Sequence, residues 1–449
     1  MAWLLTLIPI LLVGIVHFPN QGRAELCLRP SNYWIVFYLA GYFLPIPLFM
    51  QGEDLWTQAW GYPFSSLDQT LIKSACLATV GALLISIFSS PKGTWHFFPK
   101  VGGHFLNPIY LPRSGKYLIS IGRIVVLVAA CIALIYIGVR LIGGLGFLLS
   151  NLADRINLFA GLNAFFLPAN MLIGINFSVA AVRALGGRFP AWAEYVLLVV
   201  TLCALFLLGQ KANLFILILG VAIIKMIPKG GVHLGWLLLA AIVLVNLLMM
   251  YEFIFREALV IGVNTDRLTA AGWWEYLLPQ VTGNLMQIQN LSVLVDAVPK
   301  AEPYAFGSTY IAFFTLIIPQ AFVAVKPLTA AGLYTLTFWP DLVARDSTTM
   351  PPGLFGEAYM NFGVPGFVLA HVAIGRLLRW IEKPYFQGRG LTAMNIVATA
   401  TAGAMSLHFI RGEFFSPFLI LVGIIVGSRF VVFNSGVVRG VRWVRAKLI

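Results

Sequence analysis

The feature that most limits what this chain can become is the repeated return of apolar runs about 20 residues long, the length an α-helix needs to cross a bilayer. Windows of that length place spans near residues 2–18, 31–50, 71–89, 117–139, 161–181, 192–209, 213–227, 232–250, 356–379, 391–410 and 414–433. Short polar breaks separate them. In hydrocarbon every backbone N–H and C=O must find a partner inside the protein, and a continuous helix meets that demand by itself. The composition agrees, with 59% of residues hydrophobic and 10% charged and a mean hydropathy of +0.88, well away from soluble domains. The expectation is an all-α integral membrane protein with about 11 transmembrane helices. The whole of residues 1–449 reads as a single polytopic membrane domain. Its first run lacks a basic leader and a small-residue cleavage site, so it reads as a retained helix.

A net charge of +13 raises the question of nucleic acid, but no basic face with interleaved aromatics is present to read bases. The cations instead flank the apolar runs on alternate connections. One side collects Arg23, Arg29, Lys92, Lys100, Arg113, Lys116, Arg183, Arg188, Lys225, Lys229, Arg376, Arg379, Lys383, Arg389, Arg429 and the basic tail, against only Glu25, Glu194 and Glu382. The other side holds Arg140, Arg155, Lys211, Arg256, Arg267, Lys300, Lys326, Arg345, Arg411 and most of the acids. The positive-inside rule then puts the N-terminus outside and the C-terminus in the cytoplasm. Cys27, Cys76, Cys131 and Cys203 lie far apart without CxxC or Cys/His spacing, so neither disulfides nor zinc are expected.

This orientation makes residues 251–355 one large extracytoplasmic loop, too rich in tryptophan, tyrosine and proline to be read as disordered. Within it, 305–325 (YAFGSTYIAFFTLIIPQAFVA) is apolar enough to span. Pro319-Gln320 interrupts that run and Lys326-Pro327 ends it, which also fits an amphipathic or re-entrant element on the membrane surface. A further span would invert everything downstream and put the basic C-terminus on the wrong side. The charge rule therefore favours the surface reading.

The loop leads back to the bilayer through Arg345–Gly366, RDSTTMPPGLFGEAYMNFGVPG. Its polar residues fall where water meets lipid, the place for the mouth of a membrane-embedded site. Glu357 opens the following helix, where the helix dipole also favours a carboxylate. Arg345 can pair with its neighbour Asp346. Arg256 and Glu252 are four residues apart and can form a helix salt bridge, while Arg267 sits beside Asp266 in a loop. Lys211 lies in the tight turn Gly209-Gln210-Lys211-Ala212-Asn213, as a snorkelling anchor or as a ligand group with the flanking amides. The turn HFIRGEFFSP gathers His408, Arg411 and Glu413, ionisable groups that are costly to hold at a bilayer boundary. Arg411 is the strongest candidate there, with an Arg411–Glu413 pair as the structural alternative. His371 reads as a hydrogen-bonding group to a neighbouring helix, and Asn163, Asn170 and Asn176 as interhelical packing groups.

No D-x-D, H-E-x-x-H, G-x-S-x-G or phosphate loop occurs, so no cofactor and no metal are called for. Several cations at one membrane face suit an anionic lipid-linked substrate, since guanidinium grips phosphate oxygens in a planar fork. Cations near a departing pyrophosphate would stabilise its developing charge.

Four elements together resemble the Wzy-type O-antigen and exopolysaccharide repeat-unit polymerases. They are the turn GQKAN, the large loop ending FFTLIIPQAFVAVKP, the element PPGLFGEAYMNFGVPG, and HFIRGEFFSP. The lysine in GQKAN departs from the arginine common at that turn. The resemblance implies a GT-C-like, metal-independent glycosyltransferase of the bacterial inner membrane, with its large periplasmic loop containing short helices. It implies transfer of a growing glycan from undecaprenyl pyrophosphate onto the next lipid-linked repeat unit at the periplasmic face, in polysaccharide and lipopolysaccharide biosynthesis. A flippase and a polysaccharide co-polymerase that sets chain length would be its partners, besides membrane lipid and the lipid-linked donor and acceptor. In this reading Arg411, Lys211 and Arg345 hold pyrophosphate, and Glu357 or Glu413 orients or deprotonates the acceptor. Arg256, Arg267, Tyr359, Asn361, His408, Trp273 and Trp274 contact substrate. An O-antigen ligase acting on lipid A-core shares the architecture and donor. A lipid-linked oligosaccharide transporter is the alternative of another class.

Overall fold

The computed structural model describes residues 2–18, 28–51, 62–90, 120–150, 166–229, 287–316, 327–340, 350–386 and 391–432. Their elements are α1 (Ala2–His17), α2 (Pro30–Tyr42), α3 (Ile46–Gln51), α4 (Leu67–Ser89), α5 (Ile121–Leu141), α6 (Leu145–Ser150), α7 (Phe166–Ala184), α8 (Ala191–Leu207), α9 (Lys211–Met226), α10 (Gln287–Ala297), α11 (Ser308–Leu316), α12 (Ala330–Phe338), α13 (Leu354–Phe386), α14 (Ala393–Ala404), α15 (Ser406–Arg411) and α16 (Phe415–Val432). No strand occurs among the described residues. Among the described residues, five helices are long and apolar enough to cross a membrane: α4, α5, α7, α13 and α16, with Trp3–His17 and Ala191–Leu207 as shorter apolar helices. The expected span at 232–250 lies outside the described residues.

Three of the expected spans are interrupted, each for a local reason. The 31–50 run turns at Phe43–Pro45 between α2 and α3, where proline has no N–H to continue the ladder. The 391–410 run breaks at Met405, between α14 and α15. Helix α13 is two helices meeting at Gly363, whose φ of 62° and ψ of −148° lie outside the helical region. Of the ambiguous 305–325 segment, residues 305–316 are described and carry α11; 317–325 lie outside the described residues.

Between apolar helices in lipid there is little hydrophobic drive, so close backbone contact and interhelical hydrogen bonds do the joining. Helix α7 is the hub of one half: 78% of its spanning window is buried, against 28–44% in the other four. It packs on α16 through glycine on both sides. A Cβ on Gly174 would overlap the carbonyl of Ile424, one on Gly427 the carbonyl of Met171, and one on Gly423 the Asn170 side chain. The Ser428 hydroxyl donates to the Gly174 carbonyl at 3.0 Å. On other faces of α7, the Asn213 amide donates to Asn170 Oδ1 at 2.8 Å and the Asn176 amide to the Thr201 hydroxyl at 2.7 Å, as expected for packing asparagines. Asn163 lies outside the described residues.

The other half is built on α4 and α13, again meeting at glycines. A Cβ on Gly81 would overlap the His371 ring, and one on Gly375 would lie 2.8 Å from Phe88 Cβ. His371 is fully buried. One ring nitrogen faces the Phe367 carbonyl at 2.7 Å and the other the Tyr38 hydroxyl of α2 at 3.0 Å, the interhelical role expected of it. Large apolar side chains such as Leu11 and Ile15 of α1, Val126 and Tyr136 of α5, and Leu369 and Trp380 of α13 point outward, the surface that lipid covers in a membrane protein.

Two of the three acids that the charge pattern leaves on the basic side meet cations of that side. Glu382 accepts from Arg29 Nε at 3.0 Å and from the Ser31 N–H at 2.8 Å. Glu194 pairs with Arg183 and, at 2.6 Å, with Lys225. Glu357 and Glu382 stand near opposite ends of α13, on either side of the break at Gly363.

The glycine contacts yield a paired expectation. Gly427→Leu forces α7 and α16 apart and lowers the thermal midpoint in detergent, in line with the 1–3 kcal/mol typical of overpacking. Gly14→Ala in α1, where a Cβ meets nothing within 4 Å, leaves it unchanged. Equal midpoints for Gly427→Leu and the parent would refute the close packing.

Candidate functional site

The kink in α13 explains why a polar cluster forms at its head. Pro365 has no N–H, so the Asn361 carbonyl loses its helical partner, and the Gly363 turn removes the regular partner of Met360. The loop before α11 takes both places: the Ala305 N–H donates to the Met360 carbonyl at 3.1 Å and the Phe306 N–H to the Asn361 carbonyl at 3.2 Å. Asn361 completes the junction with its side chain. Its Oδ1 accepts from the Gly307 N–H at 2.7 Å, and its amide donates to the Thr309 hydroxyl at 2.8 Å and the Glu357 carbonyl at 2.9 Å. Both amide protons are thus committed to the chain. A sequence reading that gives Asn361 to substrate meets a residue that docks α11 on α13.

The turn before α13 is fixed from three sides. The Met350 N–H donates to the Thr335 hydroxyl at 2.7 Å, and the Asn290 amide donates to the Pro351 carbonyl at 3.0 Å. Gly353 has a φ of +79°, and a Cβ there would lie 2.5 Å from the Ile410 carbonyl and 2.6 Å from Gln287 Oε1. Glycine satisfies both the left-handed backbone and the close approach of α10 and α15. This is how PPG brings the head of α13 against the helix that carries His408 and Arg411.

Glu357 then ties the pieces together. It is 2% exposed. One carboxylate oxygen accepts from the Thr309 hydroxyl of α11 at 2.8 Å, and the other accepts from the Phe414 N–H at 2.6 Å. Phe414 follows Glu413, so the two acids of the cluster lie side by side. Glu413 is also buried, and its carboxylate accepts from the Ala331 N–H at 2.7 Å. With Thr329, whose hydroxyl oxygen accepts from the Gly332 N–H, it caps α12. Burial lifts the Glu413 carboxyl above the usual carboxylate range, with the hydrogen bonds from Ala331 and Thr329 holding it back.

The structure therefore joins Glu357, Glu413 and Asn361, and places His408 and Arg411 on the short helix immediately before the turn that Glu357 holds. Arg411 is half-buried. His408 Nε2 is buried without a hydrogen-bond partner among the described residues, as is Gln287 Oε1. Tyr359 packs in the apolar core of the α4–α13 half. Lys211 opens α9 after a tight turn at Gly209, φ +67°. The amide two residues on, in Asn213, donates to Gln210 as well as to Asn170, so this turn is organised around α7. Arg345, Arg256, Arg267, Trp273 and Trp274 lie outside the described residues.

Thr309, Asn290 and Asp296 were not foreseen. Thr309 and Asn290 look like ordinary polar residues until the chain folds. Asp296 is a lone acid in QIQNLSVLVDA, and that isolation was the available signal. It accepts from the Ser65 N–H at 3.1 Å, the Ser65 hydroxyl at 2.5 Å, the Thr70 hydroxyl at 3.2 Å and the Tyr62 hydroxyl at 3.3 Å. These bonds lock α10, and with it Asn290 and Gln287, to the start of α4. Burial raises the Asp296 carboxyl, but the hydrogen bonds from Ser65, Thr70 and Tyr62 outweigh it and hold the group below its ordinary 3.8. Burial and the Asp296 charge push the Tyr62 phenol up to about 12.

Chemically, the cluster offers a guanidinium, an imidazole with an unused nitrogen, and two carboxylates with lone pairs beyond those their bonds use. No group of three or more His, Cys, Asp or Glu able to hold a metal ion occurs among the described residues. No family model, curated protein or solved structure matches this chain.

A depressed Asp296 favours the fold in its ionised form. Its contribution is complete above the unfolded value near 3.9 and is lost as pH falls through the lower folded value. Asp296→Asn should cost about 1–3 kcal/mol near neutrality and flatten the acid limb of thermal midpoint against pH below about 5. An unaltered acid limb in the variant would show that the lock is not electrostatic.

Proposed function

We propose that this chain is a membrane-embedded, metal-independent glycosyltransferase that polymerises lipid-linked oligosaccharide repeat units. It moves the growing glycan from undecaprenyl pyrophosphate onto the next unit at the periplasmic face of the bacterial inner membrane. About eleven spans in a GT-C-like arrangement, N-terminus periplasmic and C-terminus cytoplasmic, belong to the same reading. The observation that supports it best is the meeting of PPGLFGE and HFIRGE at Gly353 and at the Glu357–Phe414 bond. Two elements named for their likeness to the polymerases thereby touch.

In this mechanism Arg411 grips the donor pyrophosphate and stabilises the charge that develops as it leaves. Glu413, lifted above the usual carboxylate range by burial, can take the proton of the acceptor hydroxyl, since a base works best near the operating pH. Glu357, with both oxygens engaged by the protein, fixes the turn between them. Lys211 and the cations of 251–355 contribute field at the same face. The transfer makes a new glycosidic bond and releases undecaprenyl pyrophosphate, its proton passing from the acceptor hydroxyl to Glu413. A flippase supplies the units, and a co-polymerase sets their number.

Arg411→Ala should abolish the polymer ladder in cells at unchanged protein level, a loss of at least about 100-fold by analogy with removal of one oxyanion donor. Thr309→Val and Glu357→Gln should shorten it without eliminating single units. The purified chain given lipid-linked units alone should make a ladder. Product only on addition of lipid A-core would make it a ligase, and a normal ladder from Arg411→Ala would overturn the mechanism.

A further inference from the structure

A second polar cluster lies where α7 ends, α8 begins and α9 ends, on elements that the carboxylate site does not use. Glu194, in the first turn of α8, is 7% exposed and takes two cations at once: Arg183 from the last turn of α7 and, at 2.6 Å, Lys225 from the last turn of α9. Those cations remain 31% and 43% exposed. Arg188, on the turn from α7 to α8, is exposed as well. Two cations thus share one carboxylate, and Arg188, six residues before Glu194 in the chain, adds a third, a surplus of two positive charges at one corner. Glu194 engages Arg183 through Nη1, and a guanidinium has further N–H groups in the same plane. A lysine ammonium likewise has three donors.

The same corner adjoins an exposed apolar face. Trp192, Tyr195, Val196 and Val199 are 65%, 57%, 53% and 57% exposed, and their spacing puts them on one side of α8. The Lys225 ammonium lies 5.4 Å from the centre of the Tyr195 ring, so charge and apolar surface are contiguous. Tryptophan and tyrosine beside cations mark the depth at which headgroups meet acyl chains. A soluble anion would satisfy the cations and leave this face unused.

We propose that this corner is a binding site for an anionic phospholipid. Its phosphate lies against Arg183, Arg188 and Lys225, and its acyl chains run along the Trp192–Val199 face of α8. Glu194 holds two of the cations near each other and cancels only part of their charge, so an uncharged or zwitterionic headgroup gains less. Basic pockets between membrane helices select anionic headgroups in this way. The site is independent of glycan transfer, and its occupant is a structural lipid rather than the transferred substrate.

The test uses the full chain, purified and delipidated in a neutral detergent, with thermal unfolding followed as lipid is titrated. Phosphatidylglycerol should raise the midpoint, and phosphatidylcholine and inorganic phosphate at equal concentration should not. Arg188→Gln removes a cation that holds no described partner, so the fold is kept. It should raise the half-saturating phosphatidylglycerol concentration about five-fold, the factor equivalent to about 1 kcal/mol per surface cation. Val199→Ser should weaken binding of the lipid as well. An equal effect of phosphatidylcholine, or unchanged affinity in Arg188→Gln, overturns the proposal; an equal effect of inorganic phosphate makes this a free-anion site and overturns it too. Glycan transfer is not read in any arm.

Discussion

A backbone carbonyl in a membrane protein has to be paired, and the most consequential ones here are those of Met360 and Asn361. The break at Gly363 and Pro365 strips both of their helical partners, and the Ala305–Gly307 loop supplies new ones. From that exchange follow the docking of α11, the Thr309–Glu357 bond, and the grip of Glu357 on the turn after α15. A straight helix would have no unpaired carbonyls to offer and no reason to hold the loop. The kink is therefore the origin of the candidate site as well as a bend in a helix.

The two acids of that site show how burial is made tolerable without cations as the described partners. Glu357 and Glu413 each accept hydrogen bonds from backbone N–H or hydroxyl groups, which are strong when the acceptor is charged. Asp296 uses the same means with four donors from the start of α4. At the basic corner of α7, α8 and α9 the logic is reversed: one acid is shared among an excess of cations. One end of the chemistry is built to hold negative charge in place, the other to leave positive charge available.

Cohesion elsewhere comes from glycine. Gly174, Gly423 and Gly427 let α7 and α16 touch at the backbone, and Gly81 lets His371 enter between α4 and α13. In lipid this contact replaces the hydrophobic drive that would hold soluble helices together. It leaves the outer faces free to carry leucine, isoleucine and tryptophan without penalty.

The helices were legible in the sequence because each depends on its own residues: an apolar run of sufficient length forms a helix in lipid whatever its neighbours do. Helices occur where the described parts of the expected spans lie, though two spans are broken into separate helices and one runs on to Phe386, and His371, Asn170 and Asn176 took the interhelical roles their positions suggested. The candidate residues Glu357, Glu413 and Arg411 were also visible, since an ionisable group at a bilayer boundary needs a reason. Their partners were not. Thr309 lies 48 residues from Glu357, Ala331 lies 82 residues from Glu413, and Asp296 lies 226 residues from Thr70. No periodicity or propensity carries information over such separations. Sequence alone decided which segments are helices and which groups are costly to bury; tertiary structure alone decided which donors meet them, because hydrogen bonds between distant segments exist only after the helices have packed.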